Sequence, residues 1–110
     1  MNFILLNVLN SNLEWKLGNA GGSGDAITLP TEYNELIIWF KSNSNNSFNQ
    51  VYYVPTTYFL TGGNNYSTVG DVAHWLYVGF NINIGAGILT CNDVFLAGKV
   101  DTCTVYIWYR

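Results

Sequence analysis

Hydrophobic and polar positions alternate over residues 75–84. Leu76, Val78, Phe80, Ile82 and Ile84 fall on one side, and Trp75, Tyr77, Gly79, Asn81 and Asn83 on the other. A period of two predicts an extended strand with one face buried. A helix would align Leu76, Phe80 and Ile84, but it would place Gly79 and several β-branched or aromatic residues in its interior. The C-terminal run repeats the alternation, with Cys103, Val105, Ile107 and Tyr109 opposite Thr104, Tyr106 and Trp108. Residues 35–40 (ELIIWF) are apolar on both faces, which predicts a central strand. Shorter strands are predicted over 3–9, 13–17, 26–29, 48–54, 58–60 and 87–91, with another opening at Phe95-Leu96.

Breakers separate these runs. Residues 18–25 (GNAGGSGD) predict a flexible turn, and 42–47 (SNSNNS) and 61–67 (TGGNNYS) predict polar loops. Asn92-Asp93 and Ala97-Gly98 are expected to punctuate the last hairpin, and Pro30 and Pro55 to sit at strand ends, where a missing N–H does least harm. The one helical turn expected lies near 69–73. Short strands joined by Gly/Asn turns predict an all-β fold, an antiparallel β-sandwich of jelly-roll character, as one domain over residues 1–110. The inward faces supply about 15 large side chains, each contributing roughly 1.5–3 kcal/mol on burial, which is enough for a two-layer core.

Composition adds that the chain is poor in charge. Only 10% of its 110 residues are charged, while 49% are hydrophobic, and the remaining polarity is largely Asn, Gly, Ser and Thr. Neutral polar surfaces approach one another without repulsion, which favours packing against copies of the same chain. Lys16, Lys41, Lys99 and Arg110 are scattered, so no phosphate-neutralising face forms and nucleic acid is excluded as a partner, as is a polybasic membrane contact. The start, MNFILLNVLNSN, lacks the charged n-region of a signal peptide, and no run reaches the roughly 20 apolar residues of a membrane helix. Cys91 and Cys103 are too few for a disulfide framework or a zinc site, and the expectation is a pair of reduced, buried thiols.

The titratable residues suggest no catalyst. His74 has Asp71 three residues away, but a triad also needs a nucleophile, and there is no Gly-x-Ser-x-Gly elbow. A glycosidase pair drawn from Asp25, Glu32 and Glu35 has nothing to fix its separation. Residues 22–25 read as a plain turn before a calcium loop, and the Gly-rich segment has no following Lys-Ser/Thr. No catalytic residue, cofactor or metal is therefore expected. The aromatic side chains are more informative. Trp39, Trp75, Tyr77, Tyr106 and Trp108 lie opposite or apart from the aliphatic faces and predict a subunit interface. The competing reading is a sugar-stacking platform, for which Asn64, Asn65 and Tyr66 are the candidate contacts, and it makes the chain a monomeric carbohydrate-binding module.

Trp15-Lys16-Leu17-Gly18 and its glycine-rich continuation are followed by Ile27-Thr28-Leu29-Pro30, Tyr33-Asn34-Glu35-Leu36-Ile37-Ile38, Asn92-Asp93-Val94 and the closing Val105-Tyr106-Ile107-Trp108-Tyr109-Arg110. This order resembles a family of small β-sandwich modules of phage tails, baseplates and head fibres, and the resemblance covers roughly residues 13–110. Cys91, Cys103 and His74 fall outside the shared pattern. The resemblance implies a non-enzymatic virion structural protein of tail- or head-fibre type, made in the cytoplasm of the bacterial host. It further implies a homotrimer that contacts other virion proteins and serves in receptor binding at a host cell-surface glycan.

Overall fold

Strand alternation governs the computed structural model, which describes residues 14–55 and 63–110. Nine strands occur in these segments: β1 (Lys16–Gly22), β2 (Ala26–Thr28), β3 (Glu35–Ser42), β4 (Asn49–Pro55), β5 (Asn64–Asp71), β6 (Leu76–Asn83), β7 (Ile88–Leu96), β8 (Lys99–Val100) and β9 (Cys103–Tyr109). They form two antiparallel sheets packed face to face as a β-sandwich. The first sheet has the order β1-β9-β3-β4; the second runs β2-β7-β6-β5, with β8 also paired to β7. The chain passes between sheets from β1 to β2, back to β3, again from β4 to β5 and finally from β8 to β9, while β3–β4, β5–β6–β7 and β7–β8 are antiparallel neighbours within one sheet.

Each alternating run keeps the face its pattern predicts. Leu36, Ile38 and Phe40 of β3 and Val105 and Ile107 of β9 point inward from the first sheet, meeting Val78, Phe80 and Ile82 of β6 and Leu89 of β7 from the second. The centre is aromatic: the Phe40 and Phe80 ring centroids lie 4.9 Å apart, and Tyr52 meets Phe80 edge-on at 5.0 Å. β3 is central, flanked by β9 and β4; its even-numbered side chains fill the core, while the apolar Ile37 and Trp39 lie on the outer face of the sheet. Cys91 of β7 and Cys103 of β9 face each other across the two sheets as buried free thiols, Sγ to Sγ 3.4 Å.

Three segments expected as turns or loops are strand. The Gly-rich run is mostly β1, paired to β9 from Lys16↔Tyr109 to Gly22↔Thr104, with the turn confined to the residues before β2. Its glycines serve close approach rather than flexibility: a Cβ on Gly21 would stand 2.8 Å from the Ile27 side chain. The predicted 61–67 loop gives way to β5, whose residues from Asn64 to Asp71 pair with β6. An edge strand with a wet outer face tolerates Asn, Ser and Thr, so its polarity reads as loop. Asn92-Asp93 does not end a strand: Gly79 opposes Asp93 and Phe80 opposes Cys91, so Asn92 is the extra residue of a β-bulge inside β7. Ala97-Gly98, with both φ positive, forms the tight two-residue turn into β8. The helical turn expected near 69–73 is a single 3₁₀ turn at Val72–His74. The strands predicted over 3–9 and 58–60 lie outside the described residues.

Ser42 is the buried polar residue at the end of β3. Its hydroxyl donates to Asp101 Oδ2 at 2.6 Å and accepts the N–H groups of Ser44 and Asn45, and so orders the polar loop before β4. This bond holds the Asp101 carboxyl below its ordinary pKa. Ser42→Ala strands these partners and is expected to lower stability by about 1–3 kcal/mol in urea denaturation; a change within a few tenths would overturn this account of the loop. The thiol pair carries a second expectation. Both sulfurs are fully buried, and hydrogen bonding to Cys103, with burial, pushes the Cys91 thiol up while the same bond lowers Cys103. Burial denies reagent access to either, so neither thiol is expected to react with Ellman's reagent until the protein unfolds.

Candidate functional site

With one side of the inner strands β3, β6, β7 and β9 committed to the core, the two outer faces carry the side chains left to meet a partner. The outer face of the first sheet presents the odd-numbered residues of β3 and β4 and the even-numbered residues of β9. Trp15, Ile37, Trp39, Val51 and Trp108 line a shallow, almost wholly apolar depression of about 370 Å³ there. Trp39 packs against Tyr106 with centroids 5.1 Å apart, and its indole N–H donates to Asn49 Oδ1 at 3.0 Å. The Lys41 ammonium lies over the Trp39 ring, and the Arg110 guanidinium covers Trp15 at 4.5 Å. Arg110 Nε also pairs with Glu35 at 2.9 Å, and the Tyr53 hydroxyl donates to the same carboxylate. The Tyr53 bond, with Arg110 adding to it, keeps Glu35 below the usual carboxylate range. An apolar centre ringed by satisfied polar groups results.

The outer face of the second sheet is different. Its polar half is a groove of about 320 Å³ whose walls include Asn64, Asn81, Asn83, Thr90 and Asn92. Pairing across three strands sets these side chains in rows: Asn64 opposite Asn83 opposite Ile88, then Tyr66 opposite Asn81 opposite Thr90. Tyr66 crosses the bare backbone of Gly79 to donate its hydroxyl to Asp93 Oδ2 at 2.5 Å. A Cβ on Gly79 would stand 2.0 Å from that hydroxyl oxygen, so only glycine permits the reach. The bulge at Asn92 turns both Asn92 and Asp93 outward. The hydrogen bond to Asp93, with some desolvation, pushes the Tyr66 phenol up to about 12.

The aromatic half lies at the other end of β6. Trp75 meets Phe95 edge-on at 5.1 Å, and Tyr77 packs on Phe95 at 5.2 Å. Trp75 adopts the left-handed conformation, φ 53° and ψ 45°, and remains 54% exposed. That conformation costs a non-glycine residue about 1–2 kcal/mol. It is held by Trp75 N–H donating to Val72 and Gly98 N–H donating to the Trp75 carbonyl.

The expected interface residues therefore divide between the faces. Trp39, Tyr106 and Trp108 share the first sheet with Trp15 and Val51, which pattern reading had not singled out. Trp75 and Tyr77 stand on the second sheet. Among the expected sugar contacts, Asn64 and Tyr66 share the outer face, whereas Asn65 alternates to the opposite side of β5. Asn81, Asn83, Thr90 and Asn92 line the same groove as Asn64 but reside on other strands, so they are not among the expected contacts; the Asn at positions 81 and 83 of the 75–84 alternation is the signal the sequence offers for them.

The titratable candidates do not converge. His74 Nδ1 pairs with Asp71 at 2.6 Å on the 3₁₀ turn, with both side chains largely in solvent. Asp25 accepts the Gly22 N–H at 2.9 Å and closes the β1–β2 turn. Glu35 is engaged by Arg110 and Tyr53, while Glu32 opens into a separate cleft of about 560 Å³ beside Glu14, Lys16 and Tyr109. No group of three or more His, Cys, Asp and Glu side chains placed to hold a metal occurs among the described residues. Comparison with protein-family models, with curated proteins and with solved structures finds no match.

The Tyr66–Asp93 contact predicts a pH response of definite sign. A raised phenol pKa means that the folded state retains the proton, so its stabilisation is complete below pH 10.0 and is lost as pH climbs through about 12. Alkaline titration followed by NMR of the tyrosine Cζ carbons should show Tyr66 ionising near 12, and Asp93→Asn should return it toward 10.0. A Tyr66 midpoint near 10.0 in the unsubstituted protein would show the contact absent in solution.

Proposed function

We propose that this chain is a non-enzymatic structural subunit of a phage virion, of tail- or head-fibre type, which assembles with copies of itself through the outer face of its first sheet. The observation that carries the reading is the depression formed by Trp15, Ile37, Trp39, Val51 and Trp108, apolar at its centre and rimmed by Lys41, Asn49, Tyr53 and the Glu35–Arg110 pair. Interfaces have this anatomy: a desolvated centre rich in Trp within a hydrogen-bonded rim. A second copy suits it better than a charged partner, because the chain carries few charges and copies approach without much repulsion. The virion assignment rests on the resemblance of the segments around Trp15, Pro30, Tyr33 and the closing VYIWYR to fibre modules. A cyclic trimer is the assembly this resemblance favours, and host attachment is the task it implies. A monomeric carbohydrate-binding module is the competing reading; it leaves the first-sheet depression without a use.

Sedimentation velocity at micromolar concentration should return a homotrimer. Trp39→Ser combined with Trp108→Ser should give monomers with an unchanged far-ultraviolet circular dichroism spectrum. A monomer at every concentration, or a trimer indifferent to both substitutions, would remove the assembly. Mass spectrometry of purified particles from a host expressing the gene should detect the chain among the virion proteins, and its absence from particles would remove the virion assignment.

A further inference from the structure

We propose that the outer face of the second sheet binds a neutral polysaccharide, whose chain lies along β6 from the asparagine-lined groove to the Trp75–Phe95 cluster. The inference concerns a face other than the one used for assembly and holds for a monomer or an oligomer alike.

Three observations carry it. The first is the chemistry of the groove. Asn64, Asn81, Asn83, Thr90 and Asn92 offer only neutral amides and a hydroxyl, groups that both donate and accept, as sugar hydroxyls do. Asn83 Oδ1 already caps the following turn through the Ala86 N–H at 3.0 Å, which fixes that side chain and leaves its NH₂ to donate. The side chains of Asn64, Asn81, Asn92 and Thr90 have no hydrogen-bond partner among the described residues, so their capacity faces solvent.

The second observation is the aromatic surface that continues the groove. Tyr66 follows Asn64 on the same face of β5, is half exposed, and is held over Gly79 by Asp93. Beyond it stand Tyr77, Phe95 and Trp75. Rings of this kind cover the apolar C–H faces of a sugar while neighbouring amides take its hydroxyls. Residues 77–83 of β6 span about 20 Å at roughly 3.4 Å per residue, a strip long enough for several sugars in line.

The third is strain. Trp75 is a bulky residue in a left-handed conformation, pinned by backbone bonds on both sides, with a half-exposed ring set edge-on to Phe95 at the end of the strip. Backbone conformation by itself favours glycine there. A half-exposed Trp on a strained backbone is the kind of position that clusters at binding sites.

The charge pattern selects the class. Asp93 is the carboxylate at the middle of the strip, engaged by Tyr66, and no Lys or Arg lines the groove. An anionic polymer would meet a carboxylate with no cation to offset it.

The test is NMR titration of the ¹⁵N-labelled protein with a panel of neutral hexasaccharides (cellohexaose, maltohexaose, mannohexaose and chitohexaose), with hexagalacturonate as the anionic comparison. At least one neutral hexasaccharide should shift the side-chain amides of Asn64, Asn81, Asn83 and Asn92 and the Trp75 indole, leaving the Trp39 and Trp108 indoles unmoved. Asn81→Ala and Trp75→Gly should each weaken that binding by about tenfold. Trp75→Gly relieves the left-handed strain but loses the ring contact with Phe95, so thermal unfolding and far-ultraviolet circular dichroism of both variants, each expected to show a folded protein at the titration temperature, separate lost binding from lost folding. Absence of any shift across the neutral panel at millimolar concentration would overturn the proposal. So would shifts confined to the Trp39–Trp108 face, parental affinity in both variants, or tighter binding of hexagalacturonate. None of these results alters the sedimentation behaviour that tests self-assembly.

Discussion

The stacking of Phe40 on Phe80 across the sandwich is the contact on which the remaining geometry depends. Each ring belongs to an inner strand of its sheet, β3 in one and β6 in the other, so the pair fixes which face of both strands is buried. Because side chains alternate strictly along a strand, seating Phe80 inward sends Gly79 and Asn81 outward, and seating Phe40 inward sends Trp39 and Lys41 outward. A slip of one residue would bury Asn81 and Asn83 in an apolar layer and expose Val78, Phe80 and Ile82. The cost of burying unpaired amides makes the register unambiguous.

That constraint turns a charge-poor, aromatic-rich composition into two surfaces of distinct chemistry. The first sheet gathers Trp15, Trp39 and Trp108 around Ile37 and Val51, and the scattered cations Lys41 and Arg110 become aromatic covers and rim groups. The second sheet gathers its asparagines at one end of β6 and its rings at the other. Neither surface belongs to one segment of chain; each forms when three or four strands align. The two surfaces lie on opposite outer faces of the sandwich, so the proposed self-assembly through the first and the proposed glycan binding on the second do not compete for the same residues.

Glycines and the bulge in β7 do much of the shaping. Gly21 lets β1 lie against Ile27 at the junction between the sheets, and Gly79 clears the backbone that Tyr66 crosses to reach Asp93. The extra residue at Asn92 puts two consecutive side chains on the same side, so that Asn92 joins the groove while Asp93 anchors the phenol. Glycine and Asn-Asp pairs are ordinarily signs of turns. Here both lie within paired strands, which is why local reading assigns them to loops.

What the sequence settled by itself follows from periodicity. The strands at 75–84, 35–40 and 103–109, their inward faces and the all-β class were legible because alternation is a local property that needs only a core to face. The asparagine at both 81 and 83 was visible too, though not its companions. Tertiary structure alone decided that residues 18–22 and 64–71 are strands, since glycine- and asparagine-rich segments carry little extended preference of their own and take it from a hydrogen-bonding neighbour, β9 in one case and β6 in the other. It also decided that Trp39 and Trp75 lie on opposite faces and that Asn64 sits beside Asn83. Such adjacency depends on which strands pair, and pairing is set by long-range burial that no window of neighbouring residues contains.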